Sequence, residues 1–508
     1  MACPNSEATI YTCMKLISGD LDHNWMAPSI VILCVVNRLY LHPLSGVPGR
    51  PLAAVSQWYD FYYNVIRNGI YSKQWPRLHT KYNSPVIRIG VNQVHVADED
   101  LYHEIYCSGT QYNKDSSFYK RLGLDGAILT ITDPAQHRSY RNPINSLFST
   151  RTTNEMGPTL ASEVQKAAEY MSEQGKKDIP VTIQHVYRSI SLMFGKSLNL
   201  VDVPDAYHDL LRCVDRFSAI TWPKVHFPVI NTIVTCFPAF LVDALLPGWL
   251  GYRKRFEAWY AESQSRRTSG KLIDGRATFY DLILNARLEN GHPALDADLL
   301  VDDSFNYVIA GMDTTSYTLA YATYYILTLR HVQDTLREEL DEAAHFIRTT
   351  TNLRKIQQLP YLTAVIKEAL RISIAVPTGL PRLVPHPGVK IRDVFIPEGT
   401  VIFLSHQVVQ MSDKIFPGPE EFIPKRWLGQ GGQALEKWNI AFNKRPRQCI
   451  GMNLAYSEMY ACIAYFFSRF EMVLYDTDKS SIQSYDNFAA RTRSQVKVKI
   501  VEGRWGGS

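Results

Sequence analysis

A cysteine near the C-terminal end of the chain, Cys449, has neighbours that favour its thiolate form. It belongs to the segment Phe442-Asn443-Lys444-Arg445-Pro446-Arg447-Gln448-Cys449-Ile450-Gly451. A helical pattern begins directly after this segment, so the helix dipole and the nearby arginines both stabilise negative charge on the sulfur. The glycine allows a sharp bend or the close approach of a large group. A single thiolate of this kind suits the axial position of a haem iron.

A second candidate site lies in a long helical pattern that contains Ala310-Gly311-Met312-Asp313-Thr314. A glycine inside a helix costs about 1 kcal/mol relative to alanine, so Gly311 indicates close approach of a large group or a local opening of the backbone. The adjacent acid and alcohol, Asp313 and Thr314, can together pass a proton to a bound oxygen species. The alternative is a buried helix with a glycine packing notch and a satisfied polar patch.

Two further pairs combine charge with helical spacing. His137 and Arg141 are four residues apart, on one helix face, where they could bind a pair of carboxylates. The alternative for this pair is a solvated basic helix start. Glu368 and Arg371 are three residues apart. Such pairs usually lie on the surface, where they contribute little, but apolar flanking residues predict partial burial here.

These segments resemble the motifs of cytochromes P-450, in the order found in that family. The haem-binding signature Phe-x-x-Gly-x-Arg-x-Cys-x-Gly is matched at Phe442, Arg447, Cys449 and Gly451. The oxygen-activation motif Ala/Gly-Gly-x-Asp/Glu-Thr-Thr is matched throughout residues 310–315, and the resemblance covers about residues 39–470. Arg445 stands where the signature has glycine, so the loop must either accept backbone strain at this residue or bend differently.

The resemblance implies roles for individual residues. Cys449 would be the axial ligand of haem b, and Asp313 and Thr314 would deliver protons. The Glu-x-x-Arg pair would form a structural network with an arginine of the segment at 422–427, which resembles the Phe-x-Pro-Glu-Arg-Phe/Trp motif. The residues implied to bind haem are His137, Arg141, Ala310, Gly311, Arg382, Phe442, Arg447 and Gly451, and those implied in the network are Glu368, Arg371 and Arg426.

The function implied is that of a haem-thiolate monooxygenase that hydroxylates or epoxidises a lipophilic substrate with O2. Its electrons would come from NADPH-cytochrome P-450 reductase, with cytochrome b5 as a further partner. Short matches at 38–44, 226–228 and 435–438 resemble filamentous-fungal enzymes of secondary metabolism, including the trichodiene-oxygenase-like group. They favour a terpenoid, with a polyketide or an alkaloid as the alternative. Two rival hypotheses are a reductase-independent haem-thiolate isomerase or dehydratase and a binding protein that has lost its haem.

Composition agrees with one large folded body. Of 508 residues, 46% are hydrophobic and 20% charged, and no linker or repeat divides the chain. We therefore predict one domain at 39–508, mainly α (α+β class), with the cytochrome P-450 fold: a large helical body and a small antiparallel β-sheet region. The net charge of +5 is small and scattered, which argues against nucleic acid binding. The eight cysteines show no disulfide or zinc spacing.

The first 38 residues are predicted to form a separate N-terminal segment. Its apolar run, Met26 to Val36, is shorter than the roughly 20 residues that a spanning helix needs. The resemblance implies that this run is a short anchor in the endoplasmic reticulum membrane, with the domain on the cytosolic face. A buried or interfacial segment is the alternative. A second apolar stretch, Trp222 to Tyr252, is interrupted by prolines. We predict short helices there that touch the membrane surface at the rim of a pocket; a buried core segment is the alternative.

Overall fold

Helices form most of the protein, as predicted. The computed structural model describes residues 23–124, 127–190, 209–237, 239–245, 249–269, 297–348 and 353–504. In chain order the α-helices are α1 (His23–Val36), α2 (Pro51–Val55), α3 (Trp58–Phe61), α4 (Trp75–Tyr82), α5 (Glu99–Ile105), α6 (Ser116–Lys120), α7 (Pro134–Ile144), α8 (Thr150–Glu155), α9 (Gly157–Lys176), α10 (Ile183–Ile190), α11 (Asp209–Ala219), α12 (Thr221–His226), α13 (Val229–Cys236), α14 (Ala239–Leu245), α15 (Trp249–Ser269), α16 (Ala297–Thr328), α17 (Arg330–Glu342), α18 (Ala344–Ile347), α19 (Leu353–Ile356), α20 (Pro360–Ser373), α21 (His406–Gln410), α22 (Gly429–Leu435) and α23 (Met452–Arg469).

The strands are short and form small sheets. They are β1 (Val86–Gly90), β2 (Gln93–Val96), β3 (Val181–Thr182), β4 (Arg382–Leu383), β5 (Val389–Ile391), β6 (Val394–Ile396), β7 (Val401–Phe403), β8 (Phe470–Leu474), β9 (Ser484–Asn487), β10 (Ala489–Thr492) and β11 (Lys497–Gly503). The larger sheets have the orders β1-β2-β7-β4 and β3-β11-β8, and β5–β6 and β9–β10 are hairpins. Strands β1 and β2 form an antiparallel pair.

The sheet region is not wholly antiparallel, which corrects one detail of the prediction. Strands β2 and β7 are parallel neighbours. Parallel strands need a long crossover connection, and here that connection is the helical body between residues 96 and 401. Strand β4 pairs antiparallel with β7, and this places Arg382 opposite Ile402.

Helix α16 runs through the centre of the helical body. It has 32 residues, and side chains from α9, α10, α17, α20 and α23 join its apolar residues in the main hydrophobic core. It ends at Thr328. A helix covered on several sides is apolar around most of its circumference, so an accessible position in it marks a space inside the protein.

The local sequence explains where the two helices beside the candidate site begin. Helix α7 begins after Asp133, whose carboxylate accepts a hydrogen bond from the Gln136 backbone N–H at 2.6 Å, and a proline occupies its first turn. His137 and Arg141 therefore lie one turn apart inside this helix. Helix α23 begins directly after Gly451.

The two apolar stretches near the surface form short helices. Helix α1 contains Pro28, and its side chains Val31, Ile32 and Leu33 are exposed. The second stretch contains α12, α13 and α14, while residues 238 and 246–248 lie outside the described residues. Among the described residues, none of the helices combines the length and the apolar character needed to cross a bilayer. Lipid contact and the domain boundary at 38/39 remain predictions.

Candidate active site

Cys449 lies in the loop directly before α23. The residue has accessible surface, yet burial raises the pKa of its thiol, and the Gly451 backbone N–H and the Arg141 charge oppose that effect. The loop is closed by a hydrogen bond from the Cys449 backbone N–H to the Phe442 carbonyl oxygen at 2.8 Å. The Phe442 ring packs against Tyr456 of α23, with centroids 5.2 Å apart.

Gly451 leaves room beside this thiol. A Cβ built on it would meet no described protein atom within 4 Å, and its φ is an ordinary −82°. Neither packing nor backbone strain within the protein therefore requires glycine here. A group bound against the loop would require it, because a side chain would occupy that space.

The loop bends at Asn443 rather than at Arg445. Asn443 has a φ of 58°, a left-handed conformation that asparagine tolerates better than most residues. Its side-chain Oδ1 accepts hydrogen bonds from the Tyr102 hydroxyl and the Lys444 backbone N–H. Arg445 begins a 3₁₀ turn, Arg445–Arg447, a conformation with negative φ. Of the two outcomes expected from the missing glycine, the structure has the differently bent loop.

Beside the thiol loop lies a cavity of about 260 Å³ with a cationic lining. Several of its side chains bind carbonyl oxygens that fix them in place. Arg447 donates to the carbonyls of Ile131 and Thr132 at 2.8 and 2.9 Å, and Arg141 donates to the Gln448 carbonyl at 2.6 Å. The cavity has no carboxylate among its described lining residues, and its basic residues are Lys114, His137, Arg138, Arg141, Arg382, Lys444 and Arg447.

Burial and the neighbouring positive charges lower the pKa values of several basic groups in this cluster. Burial and then the neighbouring charges of Arg447, Lys114 and Arg141 lower the pKa of His137 to about 3. Burial, with Arg382 as the next cause, lowers the pKa of Arg447 to about 10. Unpaired buried cations are costly unless a counter-ion joins them. The two propionates of a haem are such counter-ions, so the thiol and this cluster fit haem in both ligand and charge.

Lys114 belongs to this cluster but has no motif in the sequence. Its ammonium donates to the Leu129 carbonyl at 2.6 Å and lies over the Tyr119 ring. Burial, followed by the charges of Arg447, Arg382 and Arg141, lowers the pKa of Lys114 well below its ordinary value. A lone lysine in a loop gives no periodic signal, so only the folded chain reveals it.

On the α16 side, the predicted oxygen-activation segment has an accessible face. Ala310 is exposed and Gly311 half-buried in an otherwise buried stretch of helix. The Thr314 hydroxyl donates to the Ala310 carbonyl oxygen at 2.7 Å. Ile450, next to the axial cysteine candidate, packs with the cluster that includes Met312 of this helix. The helix segment and the thiol loop are therefore neighbours.

Asp313 faces away from Thr314 into a network of charged side chains. Its carboxylate binds the Arg188 guanidinium through Oδ1, and Arg491 approaches Oδ2 at 3.7 Å. Asp215 binds both arginines, with Arg188 Nη1 at 2.9 Å. The Ser218 hydroxyl lies 3.5 Å from Asp313 Oδ2. The structure thus balances two carboxylates with two guanidiniums and separates the acid from the alcohol predicted to act with it.

Glu368 is fully buried and forms the centre of a hydrogen-bonded network. Arg371 donates to both of its oxygens, from Nε at 2.9 Å and Nη2 at 2.8 Å. Arg426 Nε and Trp427 Nε1 donate to it at 3.2 and 2.8 Å, and the Ile423 backbone N–H at 2.9 Å. Arg371 also donates to the carbonyls of residues 410, 419 and 421. The network ties α20 to the segment before the thiol loop, and Trp427 is a member that sequence reasoning missed.

Comparison with known proteins identifies the family. The family model for cytochrome P450 matches residues 61–500. The chain belongs to the cytochrome P450 family. Cytochrome P450 monooxygenase ankB of Aspergillus thermomutatus is 48% identical over 477 residues, 92% of this chain and 91% of that protein. Cytochrome P450 monooxygenase phqM of Penicillium fellutanum is 42% identical over 515 residues, 99% and 94% of the two chains. The predicted P450 fold and monooxygenase class are confirmed.

One similar P450 shows that overall likeness does not guarantee activity. Inactive cytochrome P450 monooxygenase cloA of Claviceps fusiformis is 36% identical over 495 residues, 95% of each chain. The activity of this P450 must therefore rest on its own residues. P450 enzymes carry haem on a cysteine thiolate, and the space beside Cys449 and the acid-free cationic cavity fit that cofactor. The roles of the other site residues remain predictions.

Proposed function

We propose that this P450 uses O2 and electrons from an NADPH-dependent reductase to hydroxylate or epoxidise a lipophilic secondary metabolite. The observation that supports it most is the accessible Cys449 thiol beside a cationic cavity whose described lining residues include no carboxylate. Haem bound through Cys449 would supply the iron that activates O2, with Lys114, His137, Arg141, Arg382 and Arg447 around its propionates. The net reaction inserts one oxygen atom into the substrate and reduces the other to water with two electrons and two protons.

Thr314 and Asp313 are the residues we propose for delivering those protons. The Thr314 hydroxyl donates its single hydrogen to the Ala310 carbonyl oxygen, which leaves its own oxygen able to accept a hydrogen bond from a proton donor. When it receives a proton from that donor, it can release its original hydrogen from Ala310 to a neighbouring acceptor. Asp313 must first leave Arg188. Asp215 makes this step less costly, because Arg188 keeps a carboxylate partner at 2.9 Å when Asp313 moves away. The displaced carboxylate can then take a proton from water and pass it to the hydroxyl.

The first test is the absorbance spectrum of the purified, reduced protein with CO. A Soret band at the position of a thiolate-ligated haem is expected, and Cys449→Ser should abolish it. Turnover that needs both NADPH with a reductase and O2 supports the monooxygenase. Turnover without a reductase would instead establish the isomerase or dehydratase alternative, and absence of any haem band would leave the binding-protein alternative.

The second test concerns Thr314. Thr314→Ala should leave the CO spectrum intact and lower the amount of product formed per NADPH by about tenfold or more, with the missing electrons recovered as peroxide. Thr328→Ala is a matched control, because the Thr328 hydroxyl makes the same bond to the carbonyl four residues earlier, at 2.7 Å. An unchanged product ratio in Thr314→Ala would remove Thr314 from the relay.

We also propose that the protein attaches to the cytosolic surface of the endoplasmic reticulum membrane. Its support is a group of exposed apolar side chains on α1, α3 and the segment after α12, among them Val31, Trp58 and Phe227. The Trp58 and Phe227 rings are 6.3 Å apart, so α3 and the segment after α12 contribute to one surface. Deleting residues 1–38 should move part of the protein from microsomes to the soluble fraction. Full-length protein that is already soluble at high ionic strength would refute this.

A further inference from the structure

A second cavity, also of about 260 Å³, lies between α3, α6, α12, β7 and the β9–β10 hairpin. Its described lining carries the carboxylates Asp60, Asp115 and Asp486 and a single guanidinium, Arg121. The cavity is therefore acidic, in contrast to the cationic cavity beside the thiol loop. Its walls are otherwise rich in aromatic rings: Tyr71, Trp75, Phe118, Trp222 and Phe403.

The three carboxylates differ in how many hydrogen bonds they already accept from the protein. Asp486 accepts hydrogen bonds from Ser72, Thr378 and the Phe488 backbone N–H. Asp115 caps α6 and binds Ser117. Asp60 binds Asn64 through Oδ1, whereas its Oδ2 has His226 Nε2 at 3.6 Å, beyond hydrogen-bonding distance. Asp60 therefore retains an oxygen for a ligand.

Unpaired polar atoms surround that oxygen. Within the described part of the chain, Asn64 Oδ1, Trp75 Nε1 and His226 Nε2 are buried without a hydrogen-bond partner. All three residues line the cavity, and Asn64 and Trp75 are only 5% and 3% exposed. Leaving a buried donor or acceptor unpaired costs about 1–3 kcal/mol, so such a group in a native protein calls for a partner that the chain does not supply.

The chemistry of this lining selects an organic cation. Three carboxylates against one guanidinium disfavour an anion, and the guanidinium of Arg121 already donates to the Val225 carbonyl at 3.3 Å. The described residues contain no group of three or more His, Cys, Asp or Glu that could hold a metal ion. Aromatic rings stabilise ammonium ions through their faces, whereas they offer nothing to a hydrated metal.

The cavity also lies next to the cationic cluster beside the thiol loop. Phe118 lines it, and the adjacent residue Tyr119 accepts a hydrogen bond from Arg382 of the cationic cluster at 3.1 Å. On the sheet side, Val401 and Phe403 of β7 line it, and β7 pairs with β4, which carries Arg382. The acidic cavity and the cationic cluster are therefore connected through adjacent residues and through paired strands.

We propose that this cavity binds the ammonium group of a lipophilic amine, the substrate of the monooxygenase, with Asp60 as its counter-ion. The proposal rests on the proposed function and narrows its substrate class: among the alternatives it favours an alkaloid over a terpenoid. Asp60 Oδ2 and Asn64 Oδ1 would accept hydrogen bonds from the ammonium group, or attract its positive charge where it carries no hydrogen. The unpaired Trp75 Nε1 would donate to a hydroxyl or carbonyl oxygen of the same molecule.

The charge state of the cavity fits a ligand that brings its own positive charge. Burial, and then the charge of Asp486, raises the pKa of Asp60 to about 7, and burial raises that of Asp486 to about 6. Burial, followed by Arg121, lowers the pKa of His226 to about 4, so that its ring is neutral near pH 7. Binding of a permanent cation should therefore strengthen as Asp60 ionises, between about pH 6 and pH 8.

The test compares two probes of the same shape. The (3-hydroxyphenyl)trimethylammonium ion and 3-tert-butylphenol differ only in charge, and neither has an amine that could ligate iron. Their affinities for the full-length protein are measured by isothermal titration calorimetry. We expect the cation to bind at least about tenfold tighter than the phenol. Asp60→Asn should remove most of that preference and leave the phenol unchanged within about twofold, while Asp60→Glu should restore part of it.

Asp476→Asn is the matched control, because that carboxylate is 80% exposed and lies outside the cavity lining. It removes the same charge and should not change the preference. Equal affinities of the two probes for the wild-type protein would overturn the proposal, and so would a preference that survives in Asp60→Asn. The CO spectrum reports separately on the haem-thiolate. A variant that keeps the thiolate-haem band has folded. If the wild-type protein lacks that band, the proposed function is refuted, whereas the calorimetry still measures whether the cavity prefers the cation.

Discussion

Replacing Glu368 with glutamine should be among the most destabilising conservative changes in this protein. The side chain is fully buried, and glutamine keeps only one of its two acceptor oxygens. If the amide oxygen takes the place of Oε1, the amide nitrogen faces two donors, Arg371 Nε and Trp427 Nε1, which now bind at 2.9 and 2.8 Å. Arg371, itself 1% exposed, also loses its only described carboxylate partner.

The magnitude follows from these contacts. Each orphaned donor costs about 1–3 kcal/mol, and breaking one side of a buried ion pair costs about 3–5 kcal/mol. Because the effects overlap, we expect a loss of about 4 kcal/mol, a large part of the roughly 5–15 kcal/mol typical of a folded protein. Arg426→Met should cost only about 1–2 kcal/mol, because its bond to Glu368 is longer, at 3.2 Å, and less buried.

The assay is urea unfolding followed by far-ultraviolet circular dichroism, with haem retention recorded on the same samples. Glu420→Gln is the matched control, since it removes an exposed carboxylate close in sequence and should stay within about 0.5 kcal/mol of the wild type. A Glu368→Gln variant within about 1 kcal/mol of the wild type would refute the reasoning. It would mean that the carbonyl oxygens around Arg371 satisfy its charge without a carboxylate.

Two further predictions concern buried charges. Lys114→Met removes one cation from the crowded cluster, so we expect the haem-free protein to melt at a higher temperature. The haem-loaded protein should lose haem faster, because a propionate loses a partner. If the substitution stabilised both forms, or destabilised both, the prediction would be contradicted. Asp60→Asn should stabilise the protein at pH 8 and have little effect below pH 4. The folded-state pKa of about 7 lies above the ordinary 3.8, so ionisation opposes folding increasingly as pH rises between these values and fully above pH 7. The gain is at most about 4 kcal/mol, and thermal melts at both pH values measure it.

The sequence was most informative where chemistry depends on local spacing. Cys449 with its following helix, and the Ala310 to Thr314 segment, are contiguous in the chain, so their arrangement follows from helix geometry alone. Glu368 and Arg371 share a helix face for the same reason. Arg445 shows the limit of this approach. The motif predicted where the loop deviates from the family pattern, but not that the bend would be taken up by Asn443.

Contacts between distant segments could not be predicted in this way. Asp313 meets Arg188, which is 125 residues away in the chain, and Ser72 binds Asp486 across 414 residues. Neither pair has a spacing that a helix or hairpin would impose, because tertiary packing alone brings them together. The acidic cavity was missed for this reason: no single segment of the sequence contains more than a few of its residues.

The two central carboxylates of the acidic cavity also differ in what a substitution can reveal. Asp486 ties β9 to Ser72 and Thr378, and its carbonyl oxygen accepts from the Trp222 indole. The paired strand β10 carries Arg491, which reaches the Asp313 network. A change at Asp486 therefore alters the hairpin, the cavity wall and the proposed proton relay together, and reduced turnover could not be assigned to any one of them. Asp60 lies on α3, at the other wall, and has an oxygen that no described donor binds. Loss of cation binding in Asp60→Asn, without loss of the neutral probe or of haem, can then be assigned to the carboxylate itself.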